Sequence, residues 1–461
     1  MKNYKSAVCL LAVVVGFVLQ TELPVLAASP VDPDRVVVLM SVDGLANFYF
    51  DDPQAEMPTI RKLAAEGARA SSMRASDPTV TWPNHTTLVT GVAPAKHGVV
   101  GNNYYDRVKD ARVTLIWDPV LDKDEIVKVP TIYDLAKGAG LKTAAIHWPA
   151  SRNAKSLDWT SPDVGKAELV AKYTTPELLK ECEEAGHKVV YGNEGKKISR
   201  TESIDEDIMW TEIFNMILTK HRPNLALLHV LAVDHTEHSD GPRSEGAYEA
   251  IKAADAQVKM VWDQLQKDFP GKATLFVVSD HGFSANKTKV VPYDPLEKAG
   301  LVERTGGKVT GGPVKLVIQG GSALVYISDE ANREETMKRV QKAFEGVEGV
   351  AKVVMPEEFA EYGIGDAKRD PHAPDMLLEA KLGYFFGDTA AGNKKENKGS
   401  HGHDSRLPEL RATFVACGAG IKPGIKLGDI ENKSVAPTIA KLLGIEMPTA
   451  DGPVLTEALA E

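Results

Sequence analysis

At 461 residues, 43% hydrophobic and 26% charged, the chain can bury a large core and lacks the composition of a disordered protein. A net charge of -10 leaves no general field that draws in nucleic acid, so any bound phosphate must be met by a local device. Three cysteines exclude a disulfide-built scaffold, and the length fits one large α/β domain with an insertion, or two to three domains.

The chain opens with Lys2 and Lys5, an apolar run over 7–19, and small residues at Ala27 and Ala28. That order reads as a secretory signal peptide over 1–28, cut after Ala27 or Ala28 and leaving a secreted or periplasmic protein. A retained membrane anchor is the alternative, but the run is short of the about 20 residues a span needs. Cys9 precedes most of the run and is badly placed for lipid attachment. After cleavage only Cys182 and Cys417 remain, enough for one disulfide or two free thiols.

The first strand is predicted over 35–42, where Val36, Val37, Val38, Leu39 and Met40 form a continuous apolar run suited to burial on both faces. It ends at Asp43-Gly44. A helix follows over 58–66, opened by Pro58 and stopped by Gly67, then a helix over 130–138 and a strand over 143–147. Residues 150–205 are polar and read as irregular. A strand over 225–231 runs into Val233-Asp234. In 245–269, Ile251, Ala254, Val258, Val261 and Leu265 alternate spacings of three and four, giving a helix with one apolar face. Pro270-Gly271 ends it, and a strand over 273–279 ends at Asp280. Strands alternating with helices predict an α/β fold with a mostly parallel sheet between helical layers. Residues 286–395 differ: glycine clusters, a strand over 323–328 and a charged helix over 333–345 read as a smaller inserted α+β cap. The α/β pattern resumes at 411–416 and closes with a helix over 437–443, so the main body is 29–285 plus 396–461. The cluster Lys394-Lys395-Glu396-Asn397-Lys398 reads as a solvated loop, with an anion-attracting rim as the weaker reading.

Three strands thus end in acid, at Asp43, Asp234 and Asp280. In open α/β sheets ligands bind outside the carboxyl ends of the strands, so these carboxylates can meet in one crevice. Any one alone reads equally well as a helix N-cap or turn residue. Histidines change the balance: His238 follows Asp234 by four, His281 follows Asp280 directly, and His401 lies in Gly399-Ser400-His401-Gly402-His403-Asp404. Imidazole and carboxylate are the ligands of hydrolytic zinc. Of 12 histidines only these three are assigned to metal; His235, His403 and His85 are nearby alternatives, while His187, His221 and His372 have no such context. In Thr79-Val80-Thr81-Trp82-Pro83-Asn84-His85, Pro83 suits a first helical position and Gly91 a stop. Thr81 then lies at a helix N-terminus, where free amides suit a phosphoryl group and a metal can activate a hydroxyl. It reads equally as a simple N-cap.

Taken together these motifs resemble the nucleotide pyrophosphatase/phosphodiesterase branch of the alkaline phosphatase superfamily. The resemblance covers roughly 36–283 and 401–448. It rests on Ser41-Val42-Asp43-Gly44, Thr81-Trp82-Pro83-Asn84-His85, Asp234 through His238 with Gly241-Pro242, Ser279-Asp280-His281-Gly282, and the His401 stretch, in the family's order. It implies an alkaline-phosphatase-like fold with two Zn2+ per chain: Asp234, His238 and His401 on one, Asp43, Asp280, His281 and Thr81 on the other. It implies that Thr81 attacks phosphorus and forms a covalent phospho-threonine, and that Asn102 donates to a phosphoryl oxygen, with Asn103 competing for that role. The substrate it implies is a small phosphodiester or nucleotide, without specific nucleic-acid binding. Trp82 stands where the family often has a base-stacking phenylalanine. Trp148, in His147-Trp148-Pro149-Ala150, matches a Trp-Pro motif at the substrate wall. Val233 and Glu237 replace the family's proline and glycine, but the ligand spacing survives. A second stacking tyrosine does not align; Tyr173 and Tyr191 are candidates.

The nearest rival is a phosphomonoesterase on the same scaffold, which would add a cation for the extra phosphoryl charge. No Arg or Lys lies in 77–85, although Arg74, Lys96 or Arg152 can arrive from elsewhere. A phosphonate hydrolase is more distant, and a sulfatase lacks its Cys/Ser-x-Pro-x-Arg context. A non-catalytic binding protein with a degenerate site is disfavoured by the complete ligand set.

Overall fold

The protein is described here by a computed structural model covering residues 32–116, 121–187, 189, 198–388 and 397–460. The expected signal peptide at 1–28, Tyr191 and residues 394–396 of the lysine cluster lie outside the described residues. No helix among them is long and apolar enough to cross a membrane.

The strand Val36–Val42 shows why the core divides in two. Val36, Val38, Met40 and Val42 enter one apolar cluster, and Val37 and Leu39 enter another. Successive side chains of a strand point to opposite faces, so an unbroken apolar run requires cover on both sides. Leu225–Val230 and Ala273–Val278 flank this strand in parallel, with Met40 opposite Leu228 on one side and Val277 on the other. They too divide their side chains between the clusters.

The sheet has eight strands, in the order Ile425–Glu431, Ala68–Arg74, Phe414–Gly418, Ala273–Val278, Val36–Val42, Leu225–Val230, Thr143–Trp148, Trp159–Pro162. Only Phe414–Gly418 runs against its neighbours. Helices Pro58–Glu66, Arg200–His221 and Glu245–Asp268 cover one face through Ile60, Trp210, Phe214 and Val258. Helices Thr81–Thr90, Ile132–Gly138 and Val435–Leu443 cover the other through Leu88, Tyr133 and Ile439. Each fully buried Val, Leu or Phe side chain contributes about 1.5–3 kcal/mol relative to exposure. A second, four-stranded antiparallel sheet orders Val314–Ile318, Ser322–Ile327, Met376–Ala380 and Val350–Val354, with Tyr293–Lys298 and Arg333–Ala343 packed on it.

The expected elements form with ends shifted by a few residues, and one reading is corrected. Residues 150–205 are not irregular: they hold the strand Trp159–Pro162, helices Ala167–Tyr173 and Pro176–Glu184, and the start of Arg200–His221. The last begins with a capping box, Ser199 receiving the Glu202 amide while Glu202 returns to the Ser199 amide. Cys182 and Cys417 are both free and buried.

Candidate metal and nucleophile site

Three adjacent parallel strands deliver the acids. Asp43 directly follows Val36–Val42, and Asp280 lies two residues beyond Ala273–Val278. Asp234 sits in the first turn of the helix Ala232–Asp240, which follows Leu225–Val230. His238, four residues on, shares its helix face. Gly44 makes the approach feasible: its φ of 73° is left-handed, and a Cβ there would stand 3.2 Å from the Asp234 Cα. Likewise a Cβ on Gly282 would come within 2.2 Å of the Glu409 carbonyl oxygen.

Two overlapping groups result, each with ligand atoms within 4.8 Å of one another: Asp43, Asp280 and His281, and Asp234, His281 and His401. His238 joins the second, its Nε2 3.5 Å from Asp234 Oδ1 and 3.1 Å from His401 Nε2. His281 stands at the seam, its Nε2 3.1 Å from Asp280 Oδ2 and 3.5 Å from Asp43 Oδ1, its ring stacked on His401 at 3.8 Å. Asp43, Asp280 and His281 are fully buried, whereas the His238 side chain is 30% exposed, so the site opens on the Asp234–His238 side.

The protons on the three imidazoles are set by the backbone. His238 Nδ1 faces the Gly399 carbonyl at 3.0 Å, His401 Nδ1 that of Thr79 at 2.8 Å, and His281 Nδ1 that of Gly282 at 3.2 Å. A carbonyl only accepts, so each Nδ1 is the donor and each Nε2 turns a bare lone pair inward. Those lone pairs confront one another and the Asp43, Asp234 and Asp280 oxygens, several of which also lack hydrogen bonds. Burial, with the Asp234 charge, pushes the Asp43 carboxyl well above the usual carboxylate range; burial and Asp43 do the same to Asp280. Burial pushes His281 well down and His401 down to about 4. A divalent cation among these atoms would offset the carboxylate charge and take up the bare Nε2 lone pairs, and burial already keeps the imidazoles neutral as ligands must be, so the residues present fit a metal.

Thr81 opens the helix Thr81–Thr90 and is 5% exposed. The helix starts two residues before Pro83, which is tolerated because first-turn amides have no intrahelical acceptor. The simple N-cap reading fails: Val80 is the N-cap and no side chain caps the end. Two anchors tie this segment to the acids and histidines. His85 Nδ1 lies 3.0 Å from the Thr81 carbonyl and 3.6 Å from Asp280 Oδ2. Thr79 donates from Oγ1 to the His403 carbonyl at 2.7 Å, accepts from the Gly402 amide at 2.9 Å, and takes the His401 proton on its carbonyl. Asn102 Oδ1 accepts from the Trp82 amide at 2.8 Å, which leaves its NH2 to donate elsewhere.

The two tryptophans do not stand as expected. Trp82 is 1% exposed among Val99, Val100 and Tyr104, and Trp148 is fully buried with its ring edge-on to His85 at 5.0 Å. Neither has a face open for a substrate to stack on. Tyr173 lies under the Arg152 guanidinium. His403 Nε2 bonds the Tyr384 carbonyl and His235 Nε2 that of Ile198, and neither belongs to the two groups above.

Four supporting residues escape the sequence reading. His229 contacts Asp43, Thr79 contacts His401, and Gln319 grips the Asn102 loop by accepting from the Asn102 amide at 3.2 Å and donating to the Asn103 carbonyl at 2.8 Å. Asp207, fully buried, accepts the amides of Leu231 and Ala232 at 2.7–3.0 Å and so holds the N-terminus of the helix bearing Asp234 and His238. Asp207→Ala is expected to destabilise the protein by about 1–3 kcal/mol, because buried amides lose their acceptor. Chemical denaturation measures this; an unchanged midpoint would show that the contact carries no stability.

A family model described as type I phosphodiesterase / nucleotide pyrophosphatase matches residues 37–404. Venom phosphodiesterase of Macrovipera lebetinus is 24% identical over 430 residues, 90% of this chain and 44% of that protein. Ectonucleotide pyrophosphatase/phosphodiesterase family member 7 of Rattus norvegicus is 24% identical over 428 residues, 90% of this chain and 85% of that protein. The chain therefore spans less than half the length of the venom relatives it matches. A solved structure of murine ectonucleotide pyrophosphatase / phosphodiesterase 5, in complex with AMP, shares the fold: TM-score 0.68, 18% identity, 92% of this chain and 100% of that one.

Proposed function

Because the chain belongs to the type I phosphodiesterase / nucleotide pyrophosphatase family, we propose that it hydrolyses phosphodiester or nucleotide pyrophosphate bonds, with Thr81 as the nucleophile. The observation that carries this reading is the convergence of three bare imidazole nitrogens and three acidic side chains beside the Thr81 helix. In it, Asp234, His238 and His401 hold one cation, and Asp43, Asp280, His281 and Thr81 hold a second. The donor set of imidazole and carboxylate favours zinc. When bound, a cation pair supplies Lewis-acid charge for the attacking and leaving oxygens.

The chain's own groups do the rest. The Thr81 oxygen gives up its proton and bonds to phosphorus as the bond from phosphorus to the leaving oxygen breaks on the opposite side, that oxygen taking up a proton as the alcohol or nucleotide departs. The Thr81–Thr90 helix brings the positive end of its dipole to the phosphoryl charge, its Trp82 amide being already given to Asn102. The Asn102 NH2, its orientation set by the Trp82 amide, donates to a non-bridging oxygen. Water then attacks the phospho-threonine, releasing the phosphate monoester and restoring the Thr81 hydroxyl. The same reading makes 286–395 a cap on the catalytic body, with Gln319 in support because it reaches from that region to Asn102. It also makes the mature protein secreted or periplasmic, on the order of residues at 1–28 and the names of its venom and ecto relatives.

The test is kcat/KM of the zinc-loaded protein on p-nitrophenyl thymidine 5′-monophosphate beside p-nitrophenyl phosphate. A strong preference for the nucleotide diester is expected. Preference for the monoester would replace the diesterase reading with a phosphatase one.

A further inference from the structure

The strand Leu225–Val230 is apolar except for one residue, His229, which is fully buried. Its Nε2 lies 3.0 Å from Asp43 Oδ2, and its Nδ1 lies 2.9 Å from the His147 carbonyl oxygen. A carbonyl accepts and never donates, so Nδ1 carries a hydrogen. The ring's Nε2 and Asp43 Oδ2 stand at hydrogen-bond distance. Both ring nitrogens are thereby occupied. The ring is held in place by His85, tilted against it at 4.2 Å, and by His147, stacked at 5.5 Å. His147 itself has a left-handed φ of 57°, a conformation non-glycine residues seldom adopt and one that recurs where backbone is constrained around a site. On the other side of the carboxylate, Asp43 Oδ1 is buried, has no hydrogen bond, and stands 3.5 Å from His281 Nε2.

We propose that His229 is a positioning residue: it clamps Asp43 by Oδ2 so that Oδ1 faces the metal site, and it is not itself a ligand. The inference rests on the two-cation reading above. A hydrogen-bonded partner of this kind fixes a carboxylate's direction and sharpens its metal affinity. The same side chain reaches the His147 carbonyl, so Asp43 is tied through Leu225–Val230 to the strand beyond it, Thr143–Trp148.

The test uses the full-length protein and the variants His229→Leu, His229→Gln and His229→Asn. A glutamine amide reaches the place of Nε2, and an asparagine amide the place of Nδ1. Zinc equivalents retained on dialysis, zinc affinity by competition with a chromophoric chelator, and kcat/KM are read for each. His229→Leu is expected to weaken one of the two zinc equivalents by about 10–100-fold and leave the other unchanged. His229→Gln should recover most of that affinity and His229→Asn should not. Wild-type affinity for both equivalents in His229→Leu would overturn the proposal. Equal impairment of the Gln and Asn variants would also overturn it, because packing alone would then explain the loss. If His229→Leu does not fold, the Gln and Asn comparison decides. A wild-type protein that binds no metal would instead remove the two-cation reading; one that holds two zinc ions while His229→Leu is unaltered removes only the clamp.

Discussion

Thr81→Ala is expected to lower kcat/KM on a nucleotide diester on the order of 10^3-fold or more while the fold and most metal binding survive. The fold should persist because the Thr81 hydroxyl makes no capping bond, and alanine is the best residue in a helix. Circular dichroism and zinc content supply the control. Near-normal turnover in this variant would remove Thr81 as the nucleophile.

His401→Ala is the second large effect. His401 Nε2 stands 3.4 Å from Asp234 Oδ1 and 3.1 Å from His238 Nε2, and its Nδ1 proton ties it to Thr79. Its loss should leave one zinc equivalent of two, with a fall in affinity at the emptied position on the order of 10–100-fold or more. Activity should fall with it. The melting temperature should fall too, since a cation bound only by the native state stabilises it. Two full zinc equivalents in this variant would show the ligand assignment to be wrong.

The carboxylates were legible because an apolar run that stops at an acid marks a strand end, and Asp43 and Asp280 end neighbouring strands. The spacing of Asp234 and His238 was legible for the same kind of reason, four residues being one turn of helix. The helix Arg200–His221 is not legible in the apolar pattern. Its buried stripe starts with Ser203 and Asp207 before it reaches Trp210, Phe214 and Ile217, so an apolar count sees only its second half. The capping box at Ser199 and Glu202 was the available signal. Thr81–Thr90 is buried on every side, which erases the period that betrays a surface helix, and Pro83 marks a start two residues later than the true one. His229 was missed because no spacing links it to a ligand; a lone polar residue within Leu225–Val230 was the clue. The burial of Trp82 and Trp148 depends on Val99, Tyr104 and other side chains distant in sequence, which no local pattern reports.

The one reversed strand has a consequence for folding. Phe414–Gly418 lies between Ala273–Val278 and Ala68–Arg74, so the sheet stays in two pieces until residues 414–418 are in place. Asp43, Asp280 and His281 are available by then, but His401 comes about 120 residues after His281, just ahead of that joining strand. The site therefore closes only through contacts between segments far apart in the chain, the kind that form slowly. A product stopped short of residue 401 would carry the acids and the threonine hydroxyl without the group that completes them.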